Sequence, residues 1–206
     1  LFGGTPSNTA DVLIWGAQVE QSSVATSYIP TSGTTVTRLA DVVGGAGDVN
    51  TFNNSEGVLY AEIAALSNDG AFRQISINNA TNSNMIQIDY TSTNNQIRGI
   101  VVSGGVFVVF LTFILSDITI NNKVAVKYKE NDFALWINGV EVATNSSAVT
   151  PTNLFALSLS NGGGTNNFFG KLKDLKVYKT ALTDERLIYI TGTLNENYYN
   201  TYFDMS

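Results

Sequence analysis

The 206-residue chain contains no cysteine and no histidine. The first absence excludes disulfide staples and leaves the redox compartment unread. Together the two remove the Ser-His-Asp triad, the Cys-His dyad and the usual zinc and non-haem iron sites. Charge is scarce as well: 14% of residues are charged, and 17 acidic against 11 basic residues leave a net charge of -6. A chain that neutralises phosphates needs Lys and Arg in excess, so no nucleic-acid partner is expected. The longest apolar run, Gly104 to Leu115, is well short of the roughly 20 residues a membrane-spanning helix needs, and no membrane insertion is expected. No charged-then-apolar signal segment opens the chain at Leu1, from which we expect a piece of something longer.

What is present is Asn, Thr, Ser and Gly in abundance beside 44% hydrophobic residues, and only three prolines. That mixture is too apolar for disorder and suits many short strands joined by polar turns. The clearest stretch runs from Lys123 to Ala143. Val124, Val126 and Tyr128 alternate with Ala125, Lys127 and Lys129, and after Glu130-Asn131-Asp132 the alternation resumes with Phe133, Leu135 and Ile137 on one side. Asn138-Gly139 follows, a pair suited to the positive φ angles of a type I′ hairpin turn. Three consecutive antiparallel strands are predicted.

Further strands are predicted at Asp11 to Glu20, Gly57 to Leu66, Phe72 to Asn78, Met85 to Tyr90, Gln96 to Val102, Val106 to Leu115, Leu154 to Leu159 and Phe168 to Tyr178. The last of these loses its parity near Lys173-Asp174, which predicts a bulge. Asn161 to Asn167 reads as a mobile polar loop. Thr183 is an N-cap candidate, with Asp184 and Glu185 in the first turn, Leu187, Ile188 and Ile190 as the buried stripe and Gly192 as the stop of one short helix. Val106 to Leu115 is apolar on both faces, with Phe107, Val109, Leu111 and Phe113 sharing one of them. A strand of an antiparallel sandwich normally shows one face to water, so a second subunit, the preceding segment or one of the chain's own loops must cover it.

Two segments carry a resemblance. WGAQVEQSSVATSYIPTSGTTVTRLADVV, from Trp15 to Val43, resembles a junction of phage tail and virion-associated proteins that closes one β-sandwich and leads into a laminin-G-like one. KVAVKYKENDFALWINGVEVA, LFALSLS and FFGKLKDLKVYKTALTDERL are similar to the second half of a laminin-G-like jelly roll and its closing helix. The resemblance implies an all-β fold, an antiparallel concanavalin A-like sandwich with one short C-terminal helix. It divides the chain into residues 1–32 as the end of a preceding β domain or a linker arm, residues 33–193 as the jelly roll and residues 194–206 as a tail. It also implies a virion or extracellular location and a non-catalytic module of a tail or fibre that binds host-surface glycans. Two alternatives stand beside it: a structural fibre module that oligomerises through Phe107, Val109, Leu111 and Phe113, and a carbohydrate-binding module of a secreted polysaccharide-degrading enzyme. Expected partners are therefore glycans, further copies of the chain (a trimer among the options) and other virion proteins.

Enzymes of this fold set the test for catalysis. Retaining hydrolysis needs two carboxylates about 5 Å apart, which hydrolases of the fold carry on one strand as E-x-D-x-x-E. No such motif occurs, and Glu62 and Asp89 are single strand carboxylates. Lyases of the fold generally use His, or Tyr with Arg and Gln, and this chain offers no His and four arginines in scattered strands. Of metals, the resemblance implies calcium, with Asp48, Asn50 and Asp69 on turn-rich loops as candidate oxygen ligands; surface Asx turns account for the same residues. For glycan binding the usual device is a ring face with polar neighbours. If Leu135 and Ile137 point inward, Trp136 points outward beside Lys127 and Lys129, as a sugar platform or as a contact with another domain or subunit. Asn161 and Asn166 add amides.

Overall fold

The computed structural model describes residues 13, 16–19, 28–37 and 44–192. Two compact units result, Leu1–Asp41 and Val42–Ser206. In the first, the backbone N–H of Ile29 donates to Gln18 Oε1 at 2.8 Å, and Gly16, at φ +69°, leaves room for the Tyr28 ring. Half of the strand expected at Asp11 to Glu20 falls outside the described residues, and its described residues 13 and 16–19 are not in a strand; Trp15 and the whole of 194–206 also lie outside the described residues.

Among its described residues the second unit holds ten strands and one helix: β1 (Glu56–Ala65), β2 (Arg73–Asn78), β3 (Met85–Tyr90), β4 (Gln96–Ser103), β5 (Val106–Ile114), β6 (Asn122–Lys129), β7 (Phe133–Ile137), β8 (Val140–Asn145), β9 (Ala156–Ser158), β10 (Gly170–Tyr178) and α1 (Asp184–Thr191). They form two five-stranded sheets, ordered β10-β1-β6-β7-β8 and β5-β4-β3-β2-β9, with every pairing antiparallel. The expected sandwich is the observed one. Among the described residues no helix is long and apolar enough to cross a membrane.

Alternation decides which faces meet. Leu59, Ala61 and Ile63 of β1, Val124, Val126 and Tyr128 of β6, and Phe133, Leu135 and Ile137 of β7 turn inward. They pack on Ile75 and Ile77 of β2, Ile86, Ile88 and Tyr90 of β3, Ile97 and Val101 of β4 and Val109 and Leu111 of β5. The β6-β7-β8 meander forms as its sequence dictates, and Asn138 and Gly139 take φ +51° and +87° in its second turn. β10 carries its bulge at Lys173: Glu62 pairs with Asp174, Ile63 with Leu172, and the extra residue lies between.

The first sheet buries its other face too. Val58, Tyr60, Ala125, Ala134 and Trp136 are capped there by Leu187, with Leu182 and Ile190 at the edge. α1 begins at Thr183, whose Oγ1 accepts from Arg186 N, and ends at Gly192, whose N–H donates to Ile188 O at 2.7 Å. The helix thus serves as a lid on one sheet and leaves the other sheet's outer face for different use.

Candidate binding site on the outer face of the second sheet

With the isoleucines of β2, β3 and β4 turned inward, the polar alternates of the same strands share the outer face. Register sets them in rows. Gln74, Asp89, Arg98 and Thr112 lie side by side in one; Ser158, Ser76, Gln87, Ile100 and Phe110 in the next; Asn78, Met85, Val102 and Phe107 in a third. Asp89 is the one carboxylate on this face of the five strands.

Gln74, Ser76, Asn78, Gln87 and Asp89 are buried although they face away from the core. Two loops cover them. The Asn161 to Asn167 loop docks on the turn between β2 and β3: Gly163 N donates to Asn82 Oδ1 at 2.9 Å, and a Cβ on Gly162 would lie 1.7 Å from the Thr81 carbonyl oxygen. The loop is also tied to itself and to the sheet. Asn161 Nδ2 donates to Thr165 Oγ1 and Thr165 N to Asn161 Oδ1, both at 2.8 Å, while Asn166 Nδ2 donates to Gln74 Oε1 at 3.3 Å and Ser76 Oγ to the Ser160 carbonyl at 2.8 Å. The expectation of a mobile loop is corrected by this network, which the run of glycines permits by letting two backbones approach.

At the centre is an ion pair. Arg98 Nε and Nη2 donate to the two oxygens of Asp89 at 3.0 and 2.5 Å, and the Nε2 groups of Gln74 and Gln87 donate to Asp89 Oδ2 at 3.3 and 3.1 Å. Burial pushes the Asp89 carboxyl up, and the guanidinium fork and the two amides oppose that push. The Arg98 guanidinium lies between two rings, 5.8 Å from the centroid of Phe72 and 5.6 Å from that of Phe110. Phe107 and Phe110 stand 5.2 Å apart and are about half exposed.

These groups line a half-open cavity of about 230 Å³. Gln74, Gln87 and Arg98 line its polar side, Met85, Ile100, Phe107 and Phe110 its apolar side, and Asn82, Asn161 and Asn166 its loop side. An apolar wall with half-exposed rings beside a row of amides is the arrangement that takes a sugar, C–H groups on the ring and hydroxyls on the amides.

Of the residues singled out from sequence, the structure brings Asn161, Asn166 and Phe107 to this cavity. It does not expose Trp136. That side chain does point away from the core, opposite in parity to Leu135 and Ile137, but α1 covers it to 4% exposure, and a covered ring offers a sugar no face. Lys127 is buried and spent on Asp132 at 2.8 Å and Asp184 at 3.6 Å; Lys129 remains exposed, 3.7 Å from Glu56, on the other sheet.

The shared face of Phe107, Val109, Leu111 and Phe113 is also corrected. β5 bulges opposite Val101 and Val102, so that Val109 pairs with Val101 and Phe107 with Val102. One residue is skipped, and parity reverses across it. Val109 and Leu111 therefore enter the core, while Phe107 joins Phe110 on the outer face and Phe113 is partly exposed.

The candidate calcium ligands are engaged locally. Asp48 Oδ1 accepts from the N–H groups of Asn50 and Thr51 and from Thr51 Oγ1 in an Asx turn, and Asp69 accepts from Ser67 Oγ, Ala71 N and Arg73 Nη2. Among the described residues no three His, Cys, Asp or Glu side chains converge to hold an ion.

Sequence reading did not assemble Gln74, Gln87, Asp89, Arg98 and Phe110 into a site. The signal was available in RQISIN, MIQIDY and QIRGIVV, where isoleucines at every second position fix the inner face and thereby place the polar alternates together.

The profile of the concanavalin A-like lectin/glucanases superfamily matches residues 46–187, which spans both sheets and the first half of the helix. The chain belongs to that superfamily. Among solved structures it is similar to the leech intramolecular trans-sialidase, with a TM-score of 0.58 and 22% identity over 76% of this chain and 27% of that one. The sialidase module CBM40 of Ruminococcus gnavus gives a TM-score of 0.58 and 18% identity over 75% of this chain and 95% of the module. Domain 4 of the Geobacillus stearothermophilus arabinanase AbnA, solved with arabinotriose, gives 0.54 and 14% over 70% of each. The chain thus spans about a quarter of the leech enzyme's length and nearly all of the Ruminococcus module's. At these identities the likeness concerns the fold. No match was found among curated protein sequences.

Proposed function

We propose that this superfamily member is a non-catalytic glycan-binding module whose site is the outer-face cavity of the second sheet. The single observation that carries the reading is the joining of two half-exposed phenylalanine rings, Phe107 and Phe110, to a covered row of amides around one neutralised ion pair. The structures solved as the CBM40 module with sialyllactose and AbnA domain 4 with arabinotriose support it, since the same fold carries sugars there. Catalysis is not part of the reading: Asp89 is committed to Arg98 and has no second carboxylate on its face, as retaining or inverting hydrolysis would require. The segment Trp15 to Val43, with its resemblance to virion junctions, favours a tail or fibre context and host-surface glycans. Attachment to a secreted polysaccharide-degrading enzyme is the variant of the same activity with another parent chain.

A glycan-array screen of the wild type beside Phe110→Ala and Lys129→Ala tests the site. Binding lost in the first variant and kept in the second is expected; binding indifferent to Phe110, or a blank array from folded protein, contradicts the reading. One observation favours a second reading, a fibre oligomerisation module. β5 is an edge strand without a charged residue, and Val106, Phe107, Phe110 and Ile114 on it are exposed. Light scattering decides that point: an oligomer that Phe107→Asp converts to folded monomer supports it, and a wild-type monomer removes it.

A further inference from the structure

The cavity also carries a rule for what enters it, and that rule rests on the glycan-binding reading above. Asp89 in its ionised form only accepts hydrogen bonds. It therefore dictates how both neighbouring glutamine amides stand, with Nε2 toward the carboxylate and the oxygen turned away. The Gln74 oxygen is met by Asn166 Nδ2. The Gln87 oxygen has no partner, although Gln87 is 1% exposed and lines the cavity. A buried carbonyl oxygen left without a donor is costly, so its retention points to a donor that arrives from outside the chain and displaces a lining side chain to reach it.

We propose that Gln87 Oε1 accepts a hydrogen bond from a hydroxyl or amide N–H of one neutral sugar unit, and that Asp89 is the positioning residue that makes the site prefer neutral over acidic sugars. Charge favours this occupant. Asp89 and Arg98 cancel each other, and Gln74, Asn82, Gln87, Asn161 and Asn166 are uncharged. A carboxylate on a sialic or uronic acid would find the Nε and Nη2 edge of the Arg98 guanidinium already occupied by Asp89 and an acceptor oxygen beside it. Size limits the occupant as well: about 230 Å³ lies below the roughly 300–1,000 Å³ of sites for drug-sized ligands, and it suits one ring with its C–H side on Met85 and Ile100.

The test is calorimetric titration of the full chain with two sets of probes. The neutral set is the methyl glycosides of glucose, galactose and N-acetylglucosamine; the acidic set is sialyllactose and methyl glucuronide. At least one neutral probe is expected to bind ten times more tightly than either acidic one. Gln87→Met, which keeps the length of the side chain and removes the oxygen, is expected to weaken that binding at least tenfold while circular dichroism shows an unchanged sheet spectrum. Asp89→Asn, which frees the Arg98 charge and lets the Gln87 amide turn over, is expected to narrow or reverse the preference for neutral sugars. Wild-type preference for the acidic set, or full affinity in folded Gln87→Met, overturns this inference and leaves the glycan-binding reading in place. Failure of every sugar to bind overturns both.

Discussion

At the scale of single residues, neighbours on one strand have opposite fates. Leu111 is 2% exposed in the core, whereas Phe110 is 51% exposed at the cavity. Leu111→Ala is expected to cost about 2–5 kcal/mol in urea unfolding. Phe110→Ala is expected to cost less than about 1 kcal/mol and to act on sugar binding instead. Equal destabilisation would place both rows of β5 in the core. Asp69 gives a pH signature. Its bonds from Ser67 Oγ, Ala71 N and Arg73 hold its carboxyl near 2, below the ordinary 3.8. A depressed carboxyl stabilises the fold in full above its unfolded value and loses that contribution as pH falls through the folded one. Melting temperatures between pH 6 and pH 2 should therefore fall more steeply for the wild type than for Asp69→Asn below about pH 4, and parallel curves would contradict the assignment.

Among the elements, strands and helix were legible where a period was clean and flanked by turn residues. The Asn138-Gly139 hairpin, the Thr183 cap and the bulge near Lys173 could each be read from local chemistry. Two features could not. The parity change in β5 depends on which partner residue is skipped, and an all-apolar run such as VFVVFLTFI contains no polar marker of it. The cover over Trp136 depends on α1 folding back from more than forty residues further on, a contact between elements that alternation does not encode. The candidate site suffered from both: the expected ring is hidden, and the rings that matter change face. Docking of the Asn161 to Asn167 loop is the element on which the cavity depends. Because a methyl on Gly162 would collide with the Thr81 carbonyl, Gly162→Ala should lift the loop, cost about 1–3 kcal/mol and abolish hydrogen-exchange protection at the Gly163 amide. Retained protection in that variant would show that the loop can yield without leaving the turn.

For the whole molecule, division of labour between the two sheets is the main structural result. One sheet closes its outer face with a helix and an apolar cluster around Trp136; the other keeps a polar face under two loops, with rings at its rim. Superfamily membership places the chain among lectin and glucanase folds, and the lone neutralised carboxylate separates its face from the paired acids of hydrolysis. The most direct test of the central claim is a ¹⁵N-resolved NMR titration of the chain with a glycan that binds it, following the side-chain amides of Gln74, Asn82, Gln87 and Asn166. Shifts concentrated on these four are predicted. Shifts concentrated instead on the first sheet, around the Lys129 amide and the Trp136 indole, would contradict the account.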